Sequence, residues 1–388
     1  MKAATLEFLR QRFSSYYAKE PLLSPSSLPQ REWAFVFFDP DFPDIRMRRH
    51  LGFETRDEAF SYIRSMAPAH IYYSTAYYAR PGAGTMQEKE WLGADLIFDL
   101  DADHIMRGPY DRMLSRVKEE TKKLLDMLVL ELGFSPREID LVFSGGRGYH
   151  VHVHDLSVRN WGSSERRELI DYVCGIGLDP GRVLAHRTHS PRGWHHRYIA
   201  ALAEYLLWLE SLGEKERVAA IAGLEGVGKT TAEEFSRRLG EVLSRITTDP
   251  ASLNLKDAVI AKVIRGLSVQ KEGQFATMLR DRAALADEPV TTDTKRLIRL
   301  PSSLHGGSGL RVTPLAPKDL DDFDPLVDAV VFGEREVKVD LAFPLSMPIL
   351  GTSFRLEKGI SAVPEALAVF LCCRGAAEIA GGASRAPG

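Results

Sequence analysis

The chain has 388 residues, a formal net charge of −3, 44% hydrophobic and 27% charged residues, the make-up of a globular protein long enough for two or three domains. No apolar run approaches the roughly 18 residues of a membrane span, and the amphipathic start MKAATLEFLRQRF lacks the apolar core of a secretory signal. Three cysteines (Cys174, Cys372, Cys373) frame no disulfide scaffold and fit a reducing cytoplasm, and the near-neutral charge leaves any phosphate-binding surface to local clusters.

Up to about Tyr78 the pattern mixes a helix with short aromatic strands such as WAFVFF (Trp33–Phe38). The β-branched and aromatic residues of His70–Pro81 predict strand, as does GADLIFDLD (Gly93–Asp101). Leucines at helical spacing predict one long helix over Asp111–Gly133, stopped by the glycine. Ile139–Phe143 and Tyr149–His154 read as strands joined by the tight turn SGGRG. From about Ser164 to Ala286 the pattern is almost wholly helical; strand and turn character returns over Glu288–Val312, and a last helix is expected at Val363–Ala380 before a small-residue tail. The fold class this predicts is mixed α/β (α+β). A catalytic core over 1–163 and 287–388 is expected to be split by a helical insertion, 164–286.

Asp99 and Asp101 lie two apart on an expected strand, so both carboxylates point to one face and Phe98 and Leu100 to the other. Asp95 and Asp103 are expected on that same face. Like charges this close repel, and a divalent cation removes the penalty. Carboxylates bridging two ions are what in-line phosphoryl transfer needs; the plainer reading is an acidic strand end in solvent. In SGGRGYH (Ser144–His150) three glycines let the backbone approach a polyanion, while Ser144 and Arg147 offer donors. The plainer reading there is a hairpin turn with a surface arginine. His150, His152 and His154 share a strand face; packing or hydrogen bonding is favoured over a zinc triad. A second polar cluster, Asp287–Leu310, brings Lys295, Arg296, Arg299, Ser302, Ser303 and His305 around a glycine turn.

GLEGVGKT (Gly223–Thr230) fits the P-loop pattern completely. That motif needs a buried strand before it, and EKERVAAIA is helical in character. LEGVGKTTAEEF instead resembles a helix–hairpin–helix in which Leu224, Val227 and Ala232 pack two helices. A basic stretch, His186–Arg197, offers Trp194 as a stacking platform for nucleic acid or, equally, an exposed loop.

Together IFDLD, SGGRGYH and ADEPVTTDTKRLIRLPSSLH, in this order, resemble the small catalytic subunit of archaeal and eukaryotic-type DNA primases. Supporting stretches are MRRHLGF, HIYYSTAYY with KEWLGADL, and VPEALAVFLCCRGAAE. The resemblance implies a primase core fold and three metal-binding catalytic aspartates, Asp99, Asp101 and Asp287, holding two Mg²⁺ or Mn²⁺ ions. It implies nucleotide-phosphate ligands at Arg49, Ser144, Arg147, His150, Arg299 and His305. Gly146 departs from relatives that carry a second arginine there. Many relatives place a cysteine-rich zinc knuckle after the D-x-D strand; Asp103–Asp126 contains no cysteine, so no knuckle is expected and a helix takes its place. The implied partners are a primase large subunit, which carries an iron–sulfur cluster, a single-stranded DNA template and nucleoside triphosphates, with no membrane. The implied reaction is template-directed synthesis of short primers, extending to polymerase activity. The alternatives are a metal-dependent repair polymerase or nuclease, and a non-catalytic DNA-binding module.

Overall fold

A computed structural model describes residues 1–39, 46–105, 107–185, 192–248 and 256–380. The chain divides into two compact units. The first comprises Met1–Thr121, Phe134–Arg167 and Ala286–Gly388, the second Lys122–Gly133 and Glu168–Leu285. Mixed α/β architecture is what the alternation of period-two and helical patterns predicted.

In the first unit, β1 (Trp33–Val36), β2 (Arg48–Leu51) and β3 (His70–Ser74) form an antiparallel sheet with the later β9 (Leu297–Arg299), in the order β2-β1-β3-β9. Trp33, Ala34, Phe35 and Val36 are all buried, so β1 is covered on both faces and its sequence does not alternate. A small hairpin joins β4 (Ala76–Tyr78) to β5 (Trp91–Ala94). The second sheet has the order β10-β7-β8-β6, from β6 (Leu96–Asp101), β7 (Ile139–Phe143), β8 (Gly148–Val153) and β10 (Thr313–Leu315), again antiparallel. In β6, Leu96, Ile97, Phe98 and Leu100 are buried while Asp99 and Asp101 are partly open, so the alternation of a half-buried strand holds from Phe98 onward. Nearer the C-terminus stand β11 (Glu336–Leu341), the hairpin β12 (Leu345–Ile349) to β13 (Thr352–Leu356), β14 (Gly359–Pro364) and β15 (Ala377–Ile379).

Three sequence expectations change. Gly93–Asp101 is two strands, broken at Asp95. The Ala94 and Asp95 carbonyls accept from the buried Arg166 guanidinium at 2.9 Å each, which diverts them from a continuous ladder. The expected helix Val363–Ala380 is only Glu365–Cys373, because Gly359–Pro364 pairs with β11 before it and Ala377–Ile379 pairs after it. The long helix runs Tyr110–Asp126 and ends in a wider π turn, Met127–Glu131, before Gly133. The tail after residue 380 and residues 186–191 of the basic stretch lie outside the described residues.

Asp95 leaves the expected acidic face altogether. It accepts from Arg31 at 2.7 Å and from the Tyr77 hydroxyl at 2.6 Å; against burial, His154 first and then Arg31 and Tyr77 hold its carboxyl well below the usual range. Asp103 also leaves it, onto a short helix, Ala102–Ile105. His154 lies between Asp95, 3.3 Å from Nδ1, and Asp140, 3.0 Å from Nε2. Only an imidazolium donates from both nitrogens. Burial alone would lower its pKa; Asp140 and Asp95 outweigh burial and lift it to about 9. The folded protein therefore keeps a proton that the unfolded chain releases near pH 6.5. That stability is fully present below pH 6.5 and lost as pH rises through about 9. Urea denaturation should show a loss on the order of 2–3 kcal/mol across this window. His154→Gln should flatten it; an unchanged slope in that variant would refute the assignment.

The second unit is helical, with Gly193–Ser211, Glu214–Ala222, Lys229–Arg237, Leu239–Thr248, Ala258–Val269 and Gln274–Arg280 around one apolar core. Glu214–Ala222 and Lys229–Arg237 form a helix–hairpin–helix, with Leu224, Val227 and Ala232 buried as the pattern required. A helix precedes the glycine turn where a P-loop needs a strand, and the Lys229 side chain is 82% exposed. Lys229→Ala should leave nucleoside triphosphate affinity within about twofold, the range of an exposed substitution; equilibrium binding would check it. Trp194 is buried, its indole N–H donating to the Tyr172 carbonyl at 2.6 Å, so it is no stacking platform. Among the described residues no helix is long and apolar enough to cross a membrane.

Candidate active site

Register in the second sheet places Asp99 opposite His150 and Asp101 opposite Gly148. A side chain at Gly148 would put its Cβ 2.1 Å from the Leu100 carbonyl oxygen, so only glycine lets the turn lie this close to the carboxylate strand. Asp287 joins from beyond the helical insertion: its N–H donates to the Asp99 carbonyl at 2.8 Å, and a short helix, Glu288–Thr292, starts from it. The three aspartates named from sequence are thus brought to one end of β6. Burial, then the neighbouring Asp101 charge, then that of Asp287, raise the Asp99 pKa to about 7, against the pull of Arg299 and Arg296. Asp101 accepts from the Asp103 N–H at 3.1 Å. As their side chains stand, no three Asp, Glu, His or Cys groups among the described residues surround a point that would hold an ion. The backbone supplies the proximity of the three acids.

Two glycine turns meet beside these acids. Gly145 has φ +74°, and a Cβ there would strike His305 at 2.8 Å. Ser308 Oγ donates to the Gly145 carbonyl, docking the Asp287–Leu310 segment on the SGGRG turn. Ser144 is buried, and its hydroxyl accepts from the Gly146 N–H at 3.2 Å, shaping the turn. Arg147 is a third exposed and paired with Asp103. His305 stands edge-on to His70, ring centres 4.9 Å apart, and its Nδ1 accepts from the Gly307 N–H.

His150 Nε2 lies 3.5 Å from an Asp99 oxygen. Burial first, then His152 and nearby arginines for His150 and nearby arginines with His70 for His305, push both pKa values well below 6.5, which favours the neutral rings. His152, fully buried, is lowered to about 4 by burial and His154. With His154 held by carboxylates, the three strand histidines form no metal set. Arg299 on β9 lies over the Tyr72 ring, 5.3 Å from its centre, and its buried Nε has no hydrogen-bond partner among the described residues.

A cavity of about 400 Å³ takes Arg49, Tyr72, Asp99, His150, Asp293, Lys295, Arg296 and Arg299 among its walls. Of the residues expected at the site, Asp101, Asp287, Ser144, Arg147 and His305 are outside this lining. Sequence reading missed Tyr72 and the buried Glu32, which holds Arg49 through contacts of 3.2 and 3.4 Å. Tyr72 was visible only as one aromatic in a strand, and nothing local marks Glu32. The cavity mixes four cations with two carboxylates, a composition suited to a polyanion carried with metal ions.

A family model described as DNA primase small subunit matches residues 98–317, a span that contains both glycine turns and all three aspartates. The chain is similar to the DNA primase small subunit PriS of Methanoregula boonei, 60% identical over 380 residues, covering 98% of this chain and 100% of that one. It is 52% identical to the protein of the same name from Methanospirillum hungatei over 382 residues, 98% of each chain. Against that of Methanosarcina acetivorans it is 42% identical over 412 aligned positions, 97% of each.

Proposed function

The chain belongs to the DNA primase small-subunit family, and from that premise we propose that it makes short primers on single-stranded DNA by two-metal nucleotidyl transfer. The reaction is attack of a 3′-hydroxyl on the α-phosphate of a nucleoside triphosphate, with release of pyrophosphate. The observation that carries the reading is the joining of Asp287 to Asp99 through the backbone, next to a cation-lined cavity.

Asp99, Asp101 and Asp287 would hold two Mg²⁺ or Mn²⁺ ions. The donor set fits: hard oxygen ligands suit these ions, and burial followed by the repulsion of Asp101 and Asp287 lifts the Asp99 carboxyl to about 7, a repulsion that bound cations would relieve. Such ions, when bound, activate the attacking hydroxyl and offset charge on the leaving pyrophosphate. Arg299, with an unpartnered Nε, and Arg49 grip the triphosphate from the cavity walls. Arg147 exchanges Asp103 for phosphate oxygens, and Ser144 keeps the SGGRG turn in shape. Neutral His150 and His305 offer ring nitrogens without adding charge.

The same site would extend a primer once it has made one. We take the physiological form to be a heterodimer with a primase large subunit. Incubation with an unprimed single-stranded template, nucleoside triphosphates and Mg²⁺ or Mn²⁺ should give short products and leave a labelled strand undegraded. Degradation without synthesis would favour a nuclease. Absence of both, with Mn²⁺ failing to bind, would leave a DNA-binding module.

A further inference from the structure

Arg49 reaches the nucleotide cavity from a cluster that carries more cation than its single acid requires. Glu32, immediately before β1, has no exposed side-chain surface. One carboxylate oxygen accepts from Arg49 Nε at 3.2 Å and from the His50 N–H at 3.2 Å; the other accepts from Arg49 Nη2 at 3.4 Å and lies 3.1 Å from Lys89 Nζ. His50 has φ +64°, a left-handed conformation costly for a residue with a side chain, and its bond to Glu32 holds it there. That kink sits beside an irregularity in the β1–β2 register, so Glu32 fixes the direction in which Arg49 leaves the strand.

The two cations differ in access. Lys89 is wholly buried and also donates to the Pro81 carbonyl. Arg49 is 35% exposed and lines the cavity. Burial opposes the ionisation of Glu32, and Arg49 and Lys89 together outweigh it. For Lys89 burial favours the amine and Glu32 the ammonium. A buried carboxylate stripped of its last counter-ion is strongly destabilised. Were Arg49 the sole partner of Glu32, it could not turn its charge to a ligand without that penalty.

We propose that Lys89 is a positioning residue for nucleotide binding: it neutralises buried Glu32, so that the Arg49 guanidinium is available to the triphosphate. This rests on reading Arg49 as a nucleotide ligand. Lys89 never touches the nucleotide. Its effect passes through the competition between Glu32 and phosphate for one guanidinium.

The test is equilibrium binding of a nucleoside triphosphate, in Mg²⁺ at fixed salt, to full-length variants whose folding is checked by thermal denaturation. Arg49→Ala should weaken binding about tenfold, the size of one charge-assisted contact. Lys89→Met should match it, and Arg49→Ala/Lys89→Met should be no weaker than either, since both act on one contact. Glu32→Gln/Lys89→Met, which removes the competing carboxylate, should recover affinity to within about threefold of wild type. A loss in Lys89→Met that this double variant does not restore would show a merely structural role and overturn the proposal. So would wild-type affinity in Lys89→Met alongside a weakened Arg49→Ala. Wild-type affinity in Arg49→Ala would instead remove the premise, and the proposal with it. Should Lys89→Met not fold, Lys89→Gln, which keeps donors but no charge, replaces it with the same expected and overturning results.

Discussion

Asp101→Ala is expected to abolish primer synthesis, by on the order of 10³-fold or more in kcat, while the protein stays folded. Asp101 is half of the D-x-D pair, and among the described residues its side chain accepts one hydrogen bond, from the Asp103 N–H, so little structure hangs on it. Its charge is the second cause, after burial, of the raised Asp99 pKa. A carboxyl raised from 3.8 to about 7 keeps its proton in the folded state where the unfolded chain has lost it. Stability therefore falls as pH rises between those values. Removing Asp101 shrinks that loss, so in metal-free buffer near pH 7 the variant's Tm should equal or exceed that of wild type. Added Mn²⁺ should raise the wild-type Tm by preferential binding and raise the variant's less. Substantial synthesis by Asp101→Ala would sink the two-metal assignment. A large drop in metal-free Tm would show that the carboxylate is structural.

The second large effect belongs to the arginines. Arg299 has a buried Nε without a hydrogen-bond partner among the described residues, whereas Arg147 already has Asp103. Losing a charge-assisted contact costs on the order of 1.5–3 kcal/mol, roughly 10- to 150-fold. Arg299→Ala should sit at the upper end, in nucleotide KM and also in kcat if the contact tightens in the transition state. Arg147→Ala should sit at the lower end, because phosphate must first displace Asp103. The double variant should fall short of the product of the two if both hold one triphosphate. Template affinity should change little. Nucleotide titrations at fixed salt decide the matter, and wild-type affinity in both single variants would refute a shared phosphate pocket.

The acidic strand and the glycine hairpin were legible because each is local. Period-two alternation set Asp99 and Asp101 on one face, and three glycines within four residues announced a turn. Asp95 was misplaced by the same alternation. Its orientation is set by Arg31, Tyr77 and His154, partners as far as 64 residues away, and by Arg166 drawing off the strand carbonyls. The C-terminal helix was overextended because EALAVFLCC continues into sequence of helical character, while the pairing of β15 with β11 depends on residues nearly forty positions back. Trp194 was read from its basic neighbours alone, and a buried indole leaves no trace in them. The Glu32, Lys89 and Arg49 cluster draws on three separated segments, and no spacing rule reaches across them.

The close seat of Gly148 against the Leu100 carbonyl has a consequence for how strictly the site measures its substrate. The glycine turn and the carboxylate strand are the two sides of one antiparallel ladder, held by backbone hydrogen bonds from Leu96 to Asp101. Neither side can drift without breaking the sheet. On the proposed reading the gap between the SGGRG turn and the Asp99–Asp101 strand is therefore a fixed ruler, calibrated by main-chain geometry. Side chains around it can exchange partners, as Arg147 and Arg49 are poised to do, but the scale itself does not stretch. A nucleotide whose phosphate chain is shorter or longer by one unit would meet the same two marks at the wrong spacing, and discrimination by length would follow from where the backbone sets the side chains that hold it.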